Sequence, residues 1–153
     1  MKKNKIKDTG LEITELSFGT SSLGSMPDTY GYEVPEDRAQ KTLNRFFQGP
    51  VNMLDTSRNY AMGESEKRIG RAIKENGGWP KDFLLSTKLD RNMDTLVLDK
   101  NRARESLEES LKTLNVDSVD ILFLHDPEYA KDITDITKKD GAMDELFKIK
   151  NEG

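Results

Sequence analysis

Four ionisable side chains of different type stand at, or just past, the ends of short apolar runs. Val51-Asn52-Met53-Leu54 stops on Asp55, Phe83-Leu84-Leu85-Ser86-Thr87 stops on Lys88, and Val119-Asp120-Ile121-Leu122-Phe123-Leu124 stops on His125, while Tyr60 follows Asp55 by five residues. An apolar run bounded by polar and turn-forming residues reads as a buried strand. Parallel strands separated by helices deliver their C-terminal ends to one rim, so residues far apart in sequence can meet there. Such a set is proton-transfer equipment. A lysine beside a phenol favours the phenolate, a carboxylate holds the ammonium in place, and an imidazole offers a hydrogen bond through Nδ1 or Nε2. Singly, each residue has a plain structural use as a turn former, a solvated strand end, a packing ring or a hydrogen-bonded histidine. The joint placement at strand exits carries the chemistry.

The elements that would position these residues follow in order. Two alternating segments around Gly10, Ile6 to Lys7 and Leu11 to Ile13, predict a small hairpin. Leu16 to Thr20 is a first buried strand, followed by a Ser-, Gly- and Pro-rich loop from Ser21 to Val34 that is long enough to border a site. Pro35-Glu36-Asp37 opens a helix with the stripe Ala39, Leu43, Phe46 and Phe47. Gly63-Glu64-Ser65-Glu66 opens a second, carrying Ile69, Ala72 and Ile73 and ended by Asn76-Gly77-Gly78 and Pro80. Ala103, Leu107, Leu111 and Leu114 form the stripe of a third. Asp126 to Gly141 is a polar loop with one short turn, and Ala142, Met143, Leu146, Phe147 and Ile149 predict a fourth helix.

Thr20, Asp55, Lys88 and His125, the four strand exits, lie 35, 33 and 37 residues apart, a near-constant strand–helix period. An open doubly wound sheet would prefer a Gly-x-Gly-x-x-Gly turn after its first strand. Gly19-Thr20-Ser21-Ser22-Leu23-Gly24 is neither that fingerprint nor a P-loop. A βα barrel, which places functional residues at the ends of several strands, fits better. The fold class is therefore α/β, of the (β/α)8 TIM-barrel type, with residues 1–153 read as one domain: a hairpin over 1–14 and four βα units over 15–153.

Composition narrows the function classes. The 153 residues carry a net charge of −4 and no basic stripe interleaved with aromatics, which argues against nucleic acid or an anionic membrane as the partner. The absence of cysteine removes disulfides, thiolate metal sites and thiol nucleophiles, and suits a reducing compartment. Lys2, Lys3 and Lys5 imitate the start of a signal peptide, but Lys7, Asp8, Glu12 and Glu15 interrupt any apolar core, so the expected location is the cytoplasm. Hydrophobic residues make up 34%, which predicts a thin core.

Together these stretches resemble the aldo-keto reductases, (β/α)8-barrel oxidoreductases that use NADPH or NADH. The resemblance runs through Gly10-Leu11 with Leu16 to Gly24, Leu54-Asp55-Thr56 with Tyr60, Gly63-Glu64-Ser65-Glu66 with Ile69-Gly70, Ser86-Thr87-Lys88, and Ser106 to Leu114 into Val119-Asp120-Ile121 and His125. It implies a catalytic tetrad of Asp55, Tyr60, Lys88 and His125, and a cofactor edge at Gly19, Thr20, Ser21 and Asp55. Tyr60 would protonate the oxygen of a carbonyl that receives a hydride, with its hydroxyl hydrogen-bonded to Lys88, and His125 would orient that carbonyl. His125-Asp126-Pro127-Glu128 is similar to the sugar dehydrogenase branch, whose substrates are aldoses. No metal is implied.

The chain departs from that family by supplying four βα units where the barrel has eight. The Ser-Asn pair, the Gln and the phosphate-gripping loops of the family's second half are missing, and Ala61 stands where many members have glycine. Weak or no activity of the 153 residues alone is therefore expected, as is self-association through unpaired strand edges. The hairpin is expected to cover the end of the strands opposite the rim. Two other classes remain open at this stage: a non-catalytic half-barrel assembly module, and a metal-dependent barrel hydrolase using Asp55, His125 and Glu128.

Overall fold

A computed structural model describes all residues from Met1 to Gly153. It contains an antiparallel hairpin, β1 (Lys3–Lys5) with β2 (Glu12–Thr14), and a four-stranded parallel sheet of β3 (Phe18–Gly19), β4 (Met53–Asp55), β5 (Leu84–Leu89) and β6 (Ile121–Leu124) in sequence order. After a short helix α1 (Pro27–Tyr30), each strand is followed by a longer one: α2 (Glu36–Phe47), α3 (Glu64–Glu75), α4 (Lys100–Leu114) and, beyond the short α5 (Thr134–Thr137), α6 (Ala142–Glu152).

The helices begin and end where local chemistry directs. Pro35 precedes α2, whose first turn carries Glu36 and Asp37 against the partial positive charge of the helix start. The Asp99 side chain accepts from the Arg102 N–H at the start of α4, and Asn115 ends that helix in the left-handed conformation. Strand alternation then sorts side chains between two faces. Leu54, Leu85 and Leu89 pack against the helices, together with Ala39, Leu43, Ile69, Ile73 and Leu114 near one end and Leu98, Ala103 and Ile136 near the other. Phe46, Phe47, Trp79 and Phe83 form an aromatic cluster at the edge of this core.

The opposite, inward face is open. Phe123, on this face of β6, remains 49% exposed. Neither β3 nor β6 has a strand partner on its outer side.

The hairpin sits at the N-terminal ends of the strands, away from the rim. The Asn52 side chain ties it there: Oδ1 accepts from the Thr14 N–H at 2.9 Å, and Nδ2 donates to Glu12 O at 2.9 Å and to Asp82 O at 3.3 Å. β1 lies before the predicted Ile6 to Lys7 segment, whereas β2 overlaps the predicted Leu11 to Ile13 segment at Glu12 and Ile13, so Ile6 and Leu11 belong to the turn.

Several boundaries differ from the sequence reading. Leu16 is 62% exposed and outside the sheet, so the first strand is shorter than its apolar pattern suggested. The fourth strand starts at Ile121 because the Asp120 carboxylate takes a ladder position, accepting from the Leu85 N–H at 2.8 Å. Met143 and Phe147 point outward from α6, whose packed face carries Leu146 and Ile149. The loop before α6 holds two short turns, Pro127–Tyr129 and Thr134–Thr137, because Ile136 is buried beneath the helix.

Candidate active site

Register brings the first pair together. Asp55 lies opposite Ser86 on β5, and Lys88 is one pleat repeat further on the same face. Lys88 Nζ donates to Asp55 Oδ2 at 2.8 Å and to Thr56 O at 2.7 Å, while Ser86 Oγ donates to Asp55 Oδ1 at 2.8 Å. Both carboxylate oxygens are thereby engaged. On the other side of Asp55 the partner is Gly19, which carries no side chain to close the space.

Tyr60 leaves β4 on a short turn, Tyr60–Gly63, in which Ala61 and Met62 are both left-handed, at φ 52° and 54°. Left-handed backbone disfavours a Cβ, so both residues hold the turn at a conformational cost. The turn lays the phenol ring against Lys88, whose ammonium sits 4.8 Å from the ring centroid. The expected hydrogen bond from Lys88 to the Tyr60 hydroxyl is absent. Two of the three ammonium protons serve Asp55 and Thr56, and the ring face rather than the hydroxyl meets the third. His125 meets the same ring edge-on, with centroids 5.7 Å apart at 81°. The structure thus groups Asp55, Lys88, Tyr60 and His125 at the C-terminal ends of β4, β5 and β6.

Two further residues belong to this group. Asp90 and Ser57 are both buried: Ser57 Oγ donates to Asp90 Oδ2 at 2.8 Å and lies 3.0 Å from His125 Nδ1, which also contacts Asp90 Oδ1. Alternation held the signal for both, since Asp90 and Ser57 stand two residues past Lys88 and Asp55 and so share their faces.

The residues read as a cofactor edge are placed variously. Gly19 faces open space. Thr20 is buried, with its N–H and hydroxyl both donating to Asp55 O at 3.1 and 2.9 Å. Ser21 Oγ pairs with Tyr30 Oη at 2.6 Å. Beside the rim, Arg58, Arg91 and Arg102 line a cavity of about 160 Å³. Arg102 and Arg58 there turn to Glu109, at 2.8 and 3.5 Å, and Arg91 lies over the Tyr129 ring. The hydrogen bonds from Arg102, reinforced by the charge of Arg58, hold the Glu109 carboxyl below its usual range. Asp55, His125 and Glu128 do not form a metal-binding cluster, so the hydrolase alternative has no ligand set.

Comparison with known proteins identifies a family. The Aldo/keto reductase family model covers residues 15–153. The chain is 35% identical to L-galactose dehydrogenase of Arabidopsis thaliana over 146 residues, 95% of this chain and 44% of that protein. It is 30% identical to D-threo-aldose 1-dehydrogenase of a Pseudomonas species over 144 residues, 78% of this chain and 42% of that protein. Among solved structures, the holo form of an aldo-keto reductase from Bacillus halodurans superimposes with a TM-score of 0.72 at 25% identity, over 100% of this chain and 47% of its own. The chain thus spans less than half the length of these relatives, and its four βα units correspond to part of a TIM barrel. With Asp55, Tyr60, Lys88 and His125 gathered at one rim and a family model matching residues 15–153, the chain belongs to the aldo/keto reductase family.

Proposed function

We propose that the chain supplies the acid–base rim of an NAD(P)H-dependent oxidoreductase that interconverts a carbonyl, in an aldehyde, ketone or aldose, with its alcohol. The observation that carries this is the Lys88–Asp55 ion pair lying under the Tyr60 ring with His125 at the ring's edge. A bound reduced nicotinamide would supply the hydride. Tyr60 provides the proton that the new alkoxide needs, and the Lys88 ammonium beside its ring favours the phenolate that remains. Lys88 is kept in place by Asp55 and Thr56, and His125 orients the carbonyl oxygen.

Gly19, Ser21 and Asp55, with Thr20 holding the strand end, border the place where the nicotinamide end would rest. The residues present fit this reactive end and only in part a diphosphate: Arg102 is taken up by Glu109, while Arg91 keeps Nε and Nη1 buried without a hydrogen-bond partner. Weak or absent turnover by the 153 residues alone follows, in the cytoplasm as in the tube. A non-catalytic half-barrel module is the second reading, favoured by the unpartnered edges of β3 and β6 and by the exposed Phe123. On either reading those edges pair with a second copy of the chain, and sedimentation showing a monomer at micromolar concentration would remove that claim.

The test is oxidation of NADPH and NADH, followed by nicotinamide absorbance with simple aldehydes and an aldose panel. It is run on the chain and on the chain continued by the second half of a family barrel. Turnover is expected in the continued chain, falling about 10²–10⁴-fold in Tyr60→Phe and in Lys88→Met. Turnover that survives both substitutions would refute the assignment.

A further inference from the structure

Asp90 is 1% exposed, and the tetrad chemistry leaves it without a part. It stands just past β5 with its backbone held on both sides: its N–H donates to Ser106 Oγ at 2.8 Å, and Arg102 Nε donates to its carbonyl at 3.1 Å. One carboxylate oxygen contacts His125 Nδ1. The other accepts from Ser57 Oγ at 2.8 Å and from the Asn59 N–H at 3.2 Å.

This arrangement dictates where the imidazole proton sits. An ionised carboxylate only accepts hydrogen bonds, and the single Ser57 hydroxyl proton already points to Asp90, so Ser57 Oγ also faces Nδ1 as an acceptor. Both neighbours of Nδ1 being acceptors, Nδ1 carries the hydrogen and shares it between them. Nε2 is left for the rim, with Asp126 Oδ2 3.7 Å away, beyond hydrogen-bonding range. Ser57 is no nucleophile here, since it is fully buried and its proton is directed to the Asp90 carboxylate rather than to the His125 imidazole.

We propose that Asp90 is a positioning residue: by holding Nδ1–H it commits Nε2 of His125 to the substrate oxygen. Nε2 then donates to a carbonyl oxygen when the ring is protonated and accepts from an alcohol hydroxyl when the ring is neutral. The identity of that oxygen rests on the oxidoreductase reading above. The hold on the tautomer rests only on residues of this chain.

Asp90→Asn reverses the tautomer without removing volume. The Ser57 hydroxyl needs an acceptor there, and the Asn59 N–H, shared between Ser57 Oγ at 3.0 Å and that oxygen at 3.2 Å, adds to the demand, so the new amide's oxygen turns to them and its NH₂ faces Nδ1. A donor facing Nδ1 requires a lone pair there, which moves the ring hydrogen to Nε2.

His125 is the single histidine of the chain, so a long-range proton–nitrogen correlation spectrum of the ¹⁵N-labelled protein shows one imidazole pattern. The pH is raised until one ring nitrogen is bare. The wild type is expected to carry its hydrogen on Nδ1, Ser57→Ala to keep it there, and Asp90→Asn to carry it on Nε2. A wild-type hydrogen on Nε2, or an Asp90→Asn protein folded by its amide dispersion that keeps Nδ1–H, overturns the proposal. Should that variant unfold, the wild-type pattern alone decides. A tautomer that switches in a protein whose continued barrel shows no NAD(P)H turnover would sink the oxidoreductase reading and leave the hold of Asp90 on His125 standing.

Discussion

Replacing Gly70 by alanine drives a methyl group into the backbone of the neighbouring helix. A Cβ built at Gly70 lies 2.1 Å from the Thr113 carbonyl oxygen and 3.1 Å from the Leu114 Cα, whereas ordinary contact begins at 3.4 Å. Because the obstacle is helix backbone, no side-chain rotation relieves it, and α3 and α4 must part by about 1 Å. A gap of that size forfeits roughly a quarter to a half of each contact it opens, and Ile69, Ile73 and Leu114 are all fully buried beside it. Overpacking costs about 3 kcal/mol at this severe end, and the better helix propensity of alanine returns about 1 kcal/mol. The net expectation is a loss of about 2 kcal/mol, or a fall in Tm of about 4–8 °C for a chain of this length. Urea unfolding followed by far-UV circular dichroism measures it, with an unchanged slope showing that the unfolded state is unaltered. Gly77→Ala is the control: its φ of +84° brings backbone strain, but nothing lies within 4 Å of the added carbon, so about 1 kcal/mol is expected. A Gly70→Ala midpoint equal to or above that of the wild type would refute the close approach of α3 and α4.

Asn52→Ala should cost about 2–4 kcal/mol, because it strands the buried Thr14 N–H and the Glu12 carbonyl together. The His125 imidazole pattern should not move, since the hairpin lies at the other end of the strands, and a loss under about 0.5 kcal/mol would show that the hairpin is held elsewhere. Burial pushes the Glu66 carboxyl above its usual range, against the opposing hydrogen bond that Thr87 Oγ1 donates at 2.8 Å. A folded-state value raised above the unfolded one means stability that is fully present at low pH and is lost as pH rises through the folded value. Glu66→Gln keeps the Thr87 contact and cannot ionise, so it should match the wild type near pH 4 and exceed it at pH 7. A stability difference that is the same at both pH values would contradict the buried-carboxylate account.

Residue order along the chain was enough to locate the apolar stripes of α2, α3 and α4, the Asn76-Gly77-Gly78 run that stops α3, and the exits at Asp55, Lys88 and His125. Those features depend on neighbours three or four residues away, or on alternation within one strand, and such spacings are written directly in the residue order. Periodicity misjudged Leu16, Met143 and Phe147, since an apolar residue at a suitable spacing is buried only if another element arrives to cover it. What Lys88 does with its protons was likewise invisible, because it depends on the Asp55–Ser86 register and on the left-handed turn that lays the Tyr60 ring over the ammonium. Asp90 and Ser57 sat in plain alternation with the tetrad residues. They acquire a role only when β4, β5 and β6 pack side by side and place a carboxylate and a hydroxyl on one nitrogen of His125. Residue order therefore determined which chemical groups reach the rim. Tertiary packing decided which atoms of those groups remain free to act, because a hydrogen-bond partner drawn from a strand more than thirty residues away leaves no trace in local spacing.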